Sequence, residues 1–466
     1  MVSLARVGAI ALLFVAAHLS AAPTAIVGVT LVDPSKDDAH AALKDATVVF
    51  DGDRIVAAGP SASVKVPKDA TRIDGKGHWL IPGLTDGHVH FFQSGNLYTR
   101  PDVADFNAVM PYAKEVARNK AHLTSVFKVW LASGVTSVVD VGGPFWNFDV
   151  RDIAAKTAAA PRVEVAGPLI SMIARPQLEL DDPPIIKIDS PQAARDLVAR
   201  ELKRKPDFIK VWYIHQKGDD LAKQEEIVKA AADAAHAAHT RLAVHATELD
   251  VAKSALRVGA DYLVHSVEDA PIDDEFIALL KKNHAIECPT LFVYSGYRLA
   301  LSNTWKPTPD EERLGDPQIL ASMHDLDKIP ADKRPPIVVR MMEKPNIEPP
   351  TIAMQNLKKL RDAGIPIVMG TDAGNIGTLH GPSVFREMAM MHEAGMTPLE
   401  VLRSATVNGA KAMGREDLGT IATGKRADMV LLDADPLADV GNFSHAERVI
   451  KAGVVYDPKV LIDSIR

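Results

Sequence analysis

Two histidines two positions apart, His88 and His90 in Asp86-Gly87-His88-Val89-His90, are the first residues whose spacing suggests chemistry. On a strand, side chains alternate between faces, so both imidazoles point the same way. Two imidazoles on one face can grip a single cation. A lone histidine is more often a hydrogen-bonded core residue; a pair at this spacing points to a ligand set. Four further candidates sit in or at the end of apolar, strand-like runs. Lys210 lies within Phe208-Ile209-Lys210-Val211-Trp212, His245 follows Leu242-Ala243-Val244, His265 follows Tyr262-Leu263-Val264, and Asp372 follows Ile367-Val368-Met369-Gly370-Thr371. A charged lysine in an apolar run is costly unless it is paired or modified. Singly, each is an ordinary polar residue. As a set, all six fall at strand C-termini, the end where a parallel α/β barrel carries its chemistry.

The elements that must position them follow from periodicity. Residues 81–413 alternate strand-like and helix-like segments, the pattern of parallel α/β folds. The predicted strands are Thr85–His90, Val135–Asp140, Val163–Leu169, Phe208–Tyr213, Leu242–His245, Tyr262–His265, Ile286–Phe292 and Ile365–Thr371, with helical runs such as Leu221–His239 and Val251–Val258 between them. Roughly 36 residues per unit predicts a (β/α)8 TIM barrel over 81–413. The connection from Tyr294 to Pro350 is long and proline-rich and is expected to be a lid or substrate-facing insertion. Residues 23–80 and 414–466 are rich in short strands and turns, which predicts a small β-sandwich built from both termini. At the start, Arg6 precedes the apolar run Val7–Ala17 and the small residues around Ala21-Ala22. That run is shorter than the ~20 residues of a spanning helix. Residues 1–22 therefore read as a signal peptide, and the protein as exported, periplasmic or secreted.

The chain of 466 residues has 53 Lys and Arg against 60 Asp and Glu, a formal charge of −7. No basic block stands out, which argues against nucleic acid, and none marks a membrane surface once the leader is removed. Hydrophobic residues at 47% and charged residues at 24% exclude disordered and fibrous classes. The single cysteine, Cys288, excludes an intramolecular disulfide framework and a cysteine-rich zinc site. It reads as a packed small side chain.

The order of His-x-His, Lys, His, His and Asp, with Leu80-Ile81-Pro82-Gly83-Leu84-Thr85-Asp86 before the pair, Gly370-Thr371-Asp372-Ala373-Gly374, and Leu418 to Asp428 near the end, resembles the amidohydrolase superfamily. Its branch is similar to the imidazolonepropionase-related, Xaa-Pro dipeptidase-like hydrolases. The resemblance implies two divalent metal ions, one on His88, His90 and Asp372 and one on His245 and His265. Lys210, carboxylated by carbon dioxide, would bridge them as a carbamate, which offers two anionic oxygens where a lysine amine offers none. Zinc suits imidazole and carboxylate ligands. The implied reaction is hydrolysis of an amide or peptide C–N bond, on a dipeptide or N-acyl amino acid, by a metal-bridged hydroxide with Asp372 as catalytic base and then acid.

Substrate contacts are expected from Tyr213 and His215, which follow Lys210, from Arg298, whose guanidinium suits a carboxylate, and from His380, which resembles a family position near the site. The partner is a small molecule, and barrels of this kind commonly pair into homo-oligomers. Two other activities fit the same centre. One is a single-metal deaminase of cyclic amidines using His245-Ala246-Thr247-Glu248, against which Lys210 stands; the other is a lactonase or phosphotriesterase. A non-enzymatic structural role fits poorly with a full ligand set.

Overall fold

The computed structural model describes residues 22–345 and 348–466. The expected leader, but for Ala22, lies outside the described residues. Five strands come first: β1 (Thr24–Val32), β2 (Ala42–Asp51), β3 (Arg54–Pro60), β4 (Thr71–Asp74) and β5 (Trp79–Pro82). Nine follow: β6 (Leu84–Val89), β7 (Val135–Asp140), β8 (Arg162–Val165), β9 (Leu169–Ser171), β10 (Ile185–Lys187), β11 (Phe208–Trp212), β12 (Arg241–His245), β13 (Tyr262–Val264) and β14 (Ile286–Cys288). The chain closes with β15 (Met429–Leu432), β16 (Ala446–Lys451) and β17 (Val454–Tyr456).

Strands from both chain ends share one sheet, ordered β17-β16-β15-β5-β1-β2-β3 with β4 beside β1. The β2–β3 hairpin turns through Gly52 and Asp53, with Gly52 at φ 51°, as the Asp-Gly-Asp sequence predicts. Ile26, Val48, Phe50, Leu80, Met429, Leu431 and Ile450 bring side chains from the two ends into one apolar cluster. That burial holds the C-terminal strands against the N-terminal ones.

The middle of the chain is α/β and parallel. β6-β7-β8 form one parallel sheet and β10-β9-β11-β12-β13-β14 another. Every residue of β6 and β7 is buried, polar ones included, as in strands covered on both faces. Single parallel bridges extend both sheets: Ala166 to Phe208, Glu287 to Ile367, and Val89 to Ala373. The segment 365–373 thus touches β14 on one side and β6 on the other. Among the described residues no helix is long and apolar enough to cross a membrane.

Four predicted elements take a different form. Ile365–Thr371, expected as the eighth strand, forms no strand ladder and pairs only through the single bridge at Ile367, although its backbone runs between β14 and β6. Val163–Leu169 is broken into β8 and β9 around Ala166. The strand expected over Ile286–Phe292 ends at Cys288, because Thr290 is left-handed (φ 45°) and a helix begins at Leu291. The long connection from Tyr294 to Pro350, expected as a lid or substrate-facing insertion, is largely helical, with helices at Leu291–Leu301, Pro309–Leu314, Pro317–Ser322 and Pro336–Glu343. Its prolines open three of these helices at the first position, where a missing N–H costs nothing. Trp305, Ile319, Met323 and Val338 pack with Leu97, Tyr98 and Phe106 in a cluster separate from the main core.

Gly370 illustrates how tightly β6 and the 365–373 segment approach. A Cβ there would lie 2.4 Å from Cys288 Sγ and 2.9 Å from the His88 backbone nitrogen. Gly370→Ala should therefore destabilise the fold by about 1–3 kcal/mol through overpacking. A thermal unfolding midpoint equal to that of the unchanged protein would show that the approach is looser than this.

Candidate metal centre

Four polar side chains converge at the C-terminal ends of the parallel strands. His88 Nε2 and His90 Nε2 are 3.3 Å apart, and Asp372 Oδ1 lies 3.3 Å from the first and 3.1 Å from the second. His265 Nε2 is 4.0 Å from Asp372 Oδ2. Ligand atoms of His88, His265 and Asp372 all lie within 4.8 Å of one another, a spacing suited to one metal ion. The His245 ring packs 4.4 Å from that of His265. Lys210 lines the same cavity, which holds about 450 Å³.

Backbone geometry aims these groups. His265 and Asp372 both adopt left-handed φ, at 74° and 58°, a conformation unfavourable for residues with a Cβ. Each is held there by a cross-strand bond: His265 N–H donates to Cys288 O at 2.9 Å and Asp372 N–H to His88 O at 2.7 Å. Supporting groups fix the rings. His90 Nδ1 lies 2.6 Å from the Gly142 carbonyl, so Nδ1 carries the hydrogen and Nε2 presents its lone pair to the cavity. His265 Nδ1 is 2.7 Å from Thr290 Oγ1. Asp86, wholly buried, accepts from the His88 and Thr371 backbone N–H groups and from the Thr371 hydroxyl, tying β6 to the 365–373 segment. Asp140 accepts from Phe91 N–H, Gly142 N–H and Asn147, and so shapes the turn that carries the Gly142 carbonyl.

Electrostatics favour lone-pair donors over charged imidazoles. Burial, with neighbouring cationic groups, pushes His88, His245 and His265 well below the ordinary histidine value. Burial raises the Asp372 carboxyl, but His90, His265 and Arg100 beside it outweigh that and hold it below its usual range. Burial brings the Lys210 amine down to about 7. Lys210 Nζ, Asp372 Oδ1 and His88 Nδ1 are buried without a hydrogen-bond partner. Unpaired buried polar atoms are costly. Here the residues that carry them line one cavity, as in a site built around a cation. The residues fit a divalent ion.

The other expected contacts lie elsewhere. Tyr213 is buried, its hydroxyl 3.0 Å from Ser254 Oγ. Alternation along β11 explains this, since Lys210 and Trp212 line the cavity and Tyr213 takes the opposite face. His215 bonds Gln224 through Nδ1 at 2.8 Å and does not line the cavity. His380 sits behind the site, its Nε2 3.1 Å from the His90 carbonyl and its ring stacked on Phe91. It buttresses a candidate ligand and lines a separate cavity of about 300 Å³. Arg298 lies over the Tyr294 ring at 3.9 Å and is not part of the lining. Cys288 is buried in the core, as expected of a small packed side chain.

Sequence reasoning missed Arg100 and Asn375, whereas Tyr297 follows the predicted seventh strand beside Arg298. Arg100 forms a two-pronged pair with Asp102 and donates to Tyr297 and to Asn375 Oδ1, forming one wall of the cavity. Arg100 lies in an irregular stretch with no periodic signal, whereas Trp212 was accessible through alternation. The rest of the wall is largely apolar, with Val103, Leu178, Ile337 and Met341.

Known proteins share this architecture. Residues 79–455 match the model of the amidohydrolase family. The chain is 27% identical over 439 residues to an imidazolonepropionase of Streptomyces coelicolor, covering 88% of this chain and 92% of that protein. A solved Xaa-Pro dipeptidase with methionine bound in its active site superposes with a TM-score of 0.70 at 25% identity, covering 94% of this chain and all of that one. The ochratoxinase of A. niger, at 20% identity, shares the fold, with a TM-score of 0.69 over 96% of this chain and 99% of its own.

The Thr290 hydroxyl is the only hydrogen-bond partner of the His265 ring among the described residues. Thr290→Val should weaken zinc binding by about 10- to 100-fold, as loss of a supporting bond to a ligand does. Competition with a chromophoric chelator measures this, and an unchanged affinity would remove His265 from the ligand set.

Proposed function

The chain belongs to the amidohydrolase family, and from that premise we propose that it is a binuclear metal-dependent hydrolase cleaving an amide or peptide C–N bond of a dipeptide or N-acyl amino acid. One observation carries this reading: His88 Nε2, His90 Nε2 and Asp372 Oδ1 crowd within 3.3 Å of one another while the Lys210 amine lining the same cavity is buried without a hydrogen-bond partner. The family match and the Xaa-Pro dipeptidase and imidazolonepropionase likenesses support it. In this reading the parallel circuit through the single bridges is a (β/α)8 barrel, the sheet of the two termini is a sandwich, and the leader marks an exported protein.

His88, His90 and Asp372 would hold one divalent ion and His245 and His265 a second, with Lys210 between them as a carbamate. Zinc suits this donor set. Such ions lower the pKa of water and polarise a carbonyl. A lysine whose pKa is depressed to about 7 keeps a large neutral fraction near neutral pH, the form that attacks carbon dioxide. Asp372 would take a proton from the attacking water and pass it to the leaving nitrogen, a role supported by its place in the cavity lining and by the lowered pKa of its carboxyl. The apolar wall of Val103, Ile337 and Met341 keeps bulk water from the reacting carbonyl. No serine or cysteine nucleophile is required.

The test is a screen of purified protein, supplied with zinc or manganese and bicarbonate, against dipeptides, N-acyl amino acids, cyclic amidines, lactones and phosphotriesters, with metal quantified per chain. Amide turnover with two ions per chain is expected. Lys210→Ala should reduce metal content to one ion or none, and Asp372→Asn should lower kcat by about 10²- to 10⁴-fold. Ammonia release from a cyclic amidine with one ion per chain would establish the deaminase instead. A protein that binds no metal and turns over nothing would overturn the proposal.

A further inference from the structure

The cavity beside the candidate centre carries one charged group that the hydrolysis scheme does not use. Glu268 lies three residues after His265, on the loop that follows β13, and lines the cavity together with Thr247 and His245. Its backbone is fixed: Glu268 N–H donates to Thr247 O at 2.8 Å, so the loops after β12 and β13 are joined at this point. Three residues reach at most about 10 Å, which keeps Glu268 beside the reacting centre. Glu268 is solvent-exposed at the cavity lining. The surrounding wall nevertheless desolvates it enough to raise its pKa.

Among the described residues Glu268 makes no ion pair and its carboxylate accepts no hydrogen bond, and the one cation whose charge reaches it is Arg298. That guanidinium is engaged elsewhere, over the Tyr294 ring at 3.9 Å and donating to the Glu348 carbonyl at 3.4 Å. Arg100 is likewise committed to Asp102, Tyr297 and Asn375. The cavity is thus polarised, with a neutralised guanidinium on the wall formed by Tyr297 and Asn375 and an unpaired carboxylate on the wall formed by the loops after β12 and β13. Between them the lining is mostly apolar. A partly desolvated carboxylate with no internal partner favours a ligand that brings the positive charge itself.

We propose that Glu268 selects substrates carrying a protonated amine next to the scissile bond, so that the preferred substrate is a dipeptide with a free amino terminus rather than an N-acyl amino acid. This rests on the hydrolase reading above and deepens it by choosing between its two substrate classes. Glu268 is a specificity residue: it pairs with the ammonium and takes no part in proton transfer. An N-acylated substrate removes the charge and leaves the carboxylate unpaired, so discrimination is expected even where the scissile bond is identical.

A matched pair tests this, alanylproline against N-acetyl-alanylproline, measured two ways. Calorimetric binding to protein stripped of metal reads recognition without turnover, and kcat/KM on the metal-loaded protein reads it with turnover. The free amine should be preferred by about tenfold or more in both, a typical return for a charge-assisted contact. Glu268→Gln should erase that preference while leaving metal content unchanged, and Glu268→Asp should restore part of it. Equal binding and equal kcat/KM for the two ligands, or a preference that survives in Glu268→Gln, would overturn the proposal. The two failures separate: binding preference without turnover of any amide refutes the hydrolase reading and leaves Glu268 as an amine-recognising group, whereas turnover of both ligands at equal rates refutes only the role of Glu268.

Discussion

Lone pairs that face one another at close range are the constraint on which this structure turns. His88 Nε2, His90 Nε2 and Asp372 Oδ1 sit 3.1–3.3 Å apart in a buried setting. With the His90 hydrogen held at Nδ1 by the Gly142 carbonyl, at most one hydrogen, that of His88, can lie among these three atoms, and a positive charge there satisfies them together. Protonating a ring would supply one, but burial opposes it at His88, His245 and His265. A divalent cation resolves the conflict, and it does so for several donors at once.

The remainder of the middle domain can be understood as the means of holding that unfavourable set in place. Left-handed backbone at His265 and Asp372 turns their side chains inward, and cross-strand bonds to Cys288 and His88 keep the strained residues there. Asp86 ties the His88 strand to the Asp372 segment through two hydrogen bonds from Thr371, and Gly370 lets the two come close enough to make them. Tyr262 adds a bond from its hydroxyl to the Gly87 carbonyl at 2.9 Å, from the strand that leads to His265. These groups touch no substrate. They preset the geometry, so that ligand or ion binding need not bear the cost of ordering it.

Much of this was legible in the sequence because strand alternation is a strict rule. The His88 and His90 spacing, and the placing of His245, His265 and Asp372 just past apolar runs, follow from period two and from the habit of parallel strands to end at the site. The same rule, applied one step further, would have chosen Trp212 over Tyr213. What escaped the sequence lies in irregular chain. Arg100 and Asn375 belong to connections with no period, and their contacts span 275 residues. The helical nature of the 294–350 connection was hidden by prolines, which read as breaks but serve as helix starts at Pro309, Pro317 and Pro336. His380 carried the right residue type in the right neighbourhood, yet its side chain supports His90 from behind, a distinction that only packing decides.

The most direct measurement is anomalous X-ray diffraction from crystals of the protein grown with manganese. The account predicts a strong anomalous peak within coordination distance of His88 Nε2, His90 Nε2 and the Asp372 carboxylate, and a second beside His245 and His265 with carbamate density on Lys210. An empty position there, with Lys210 unmodified and its ammonium paired directly to Asp372, would contradict it.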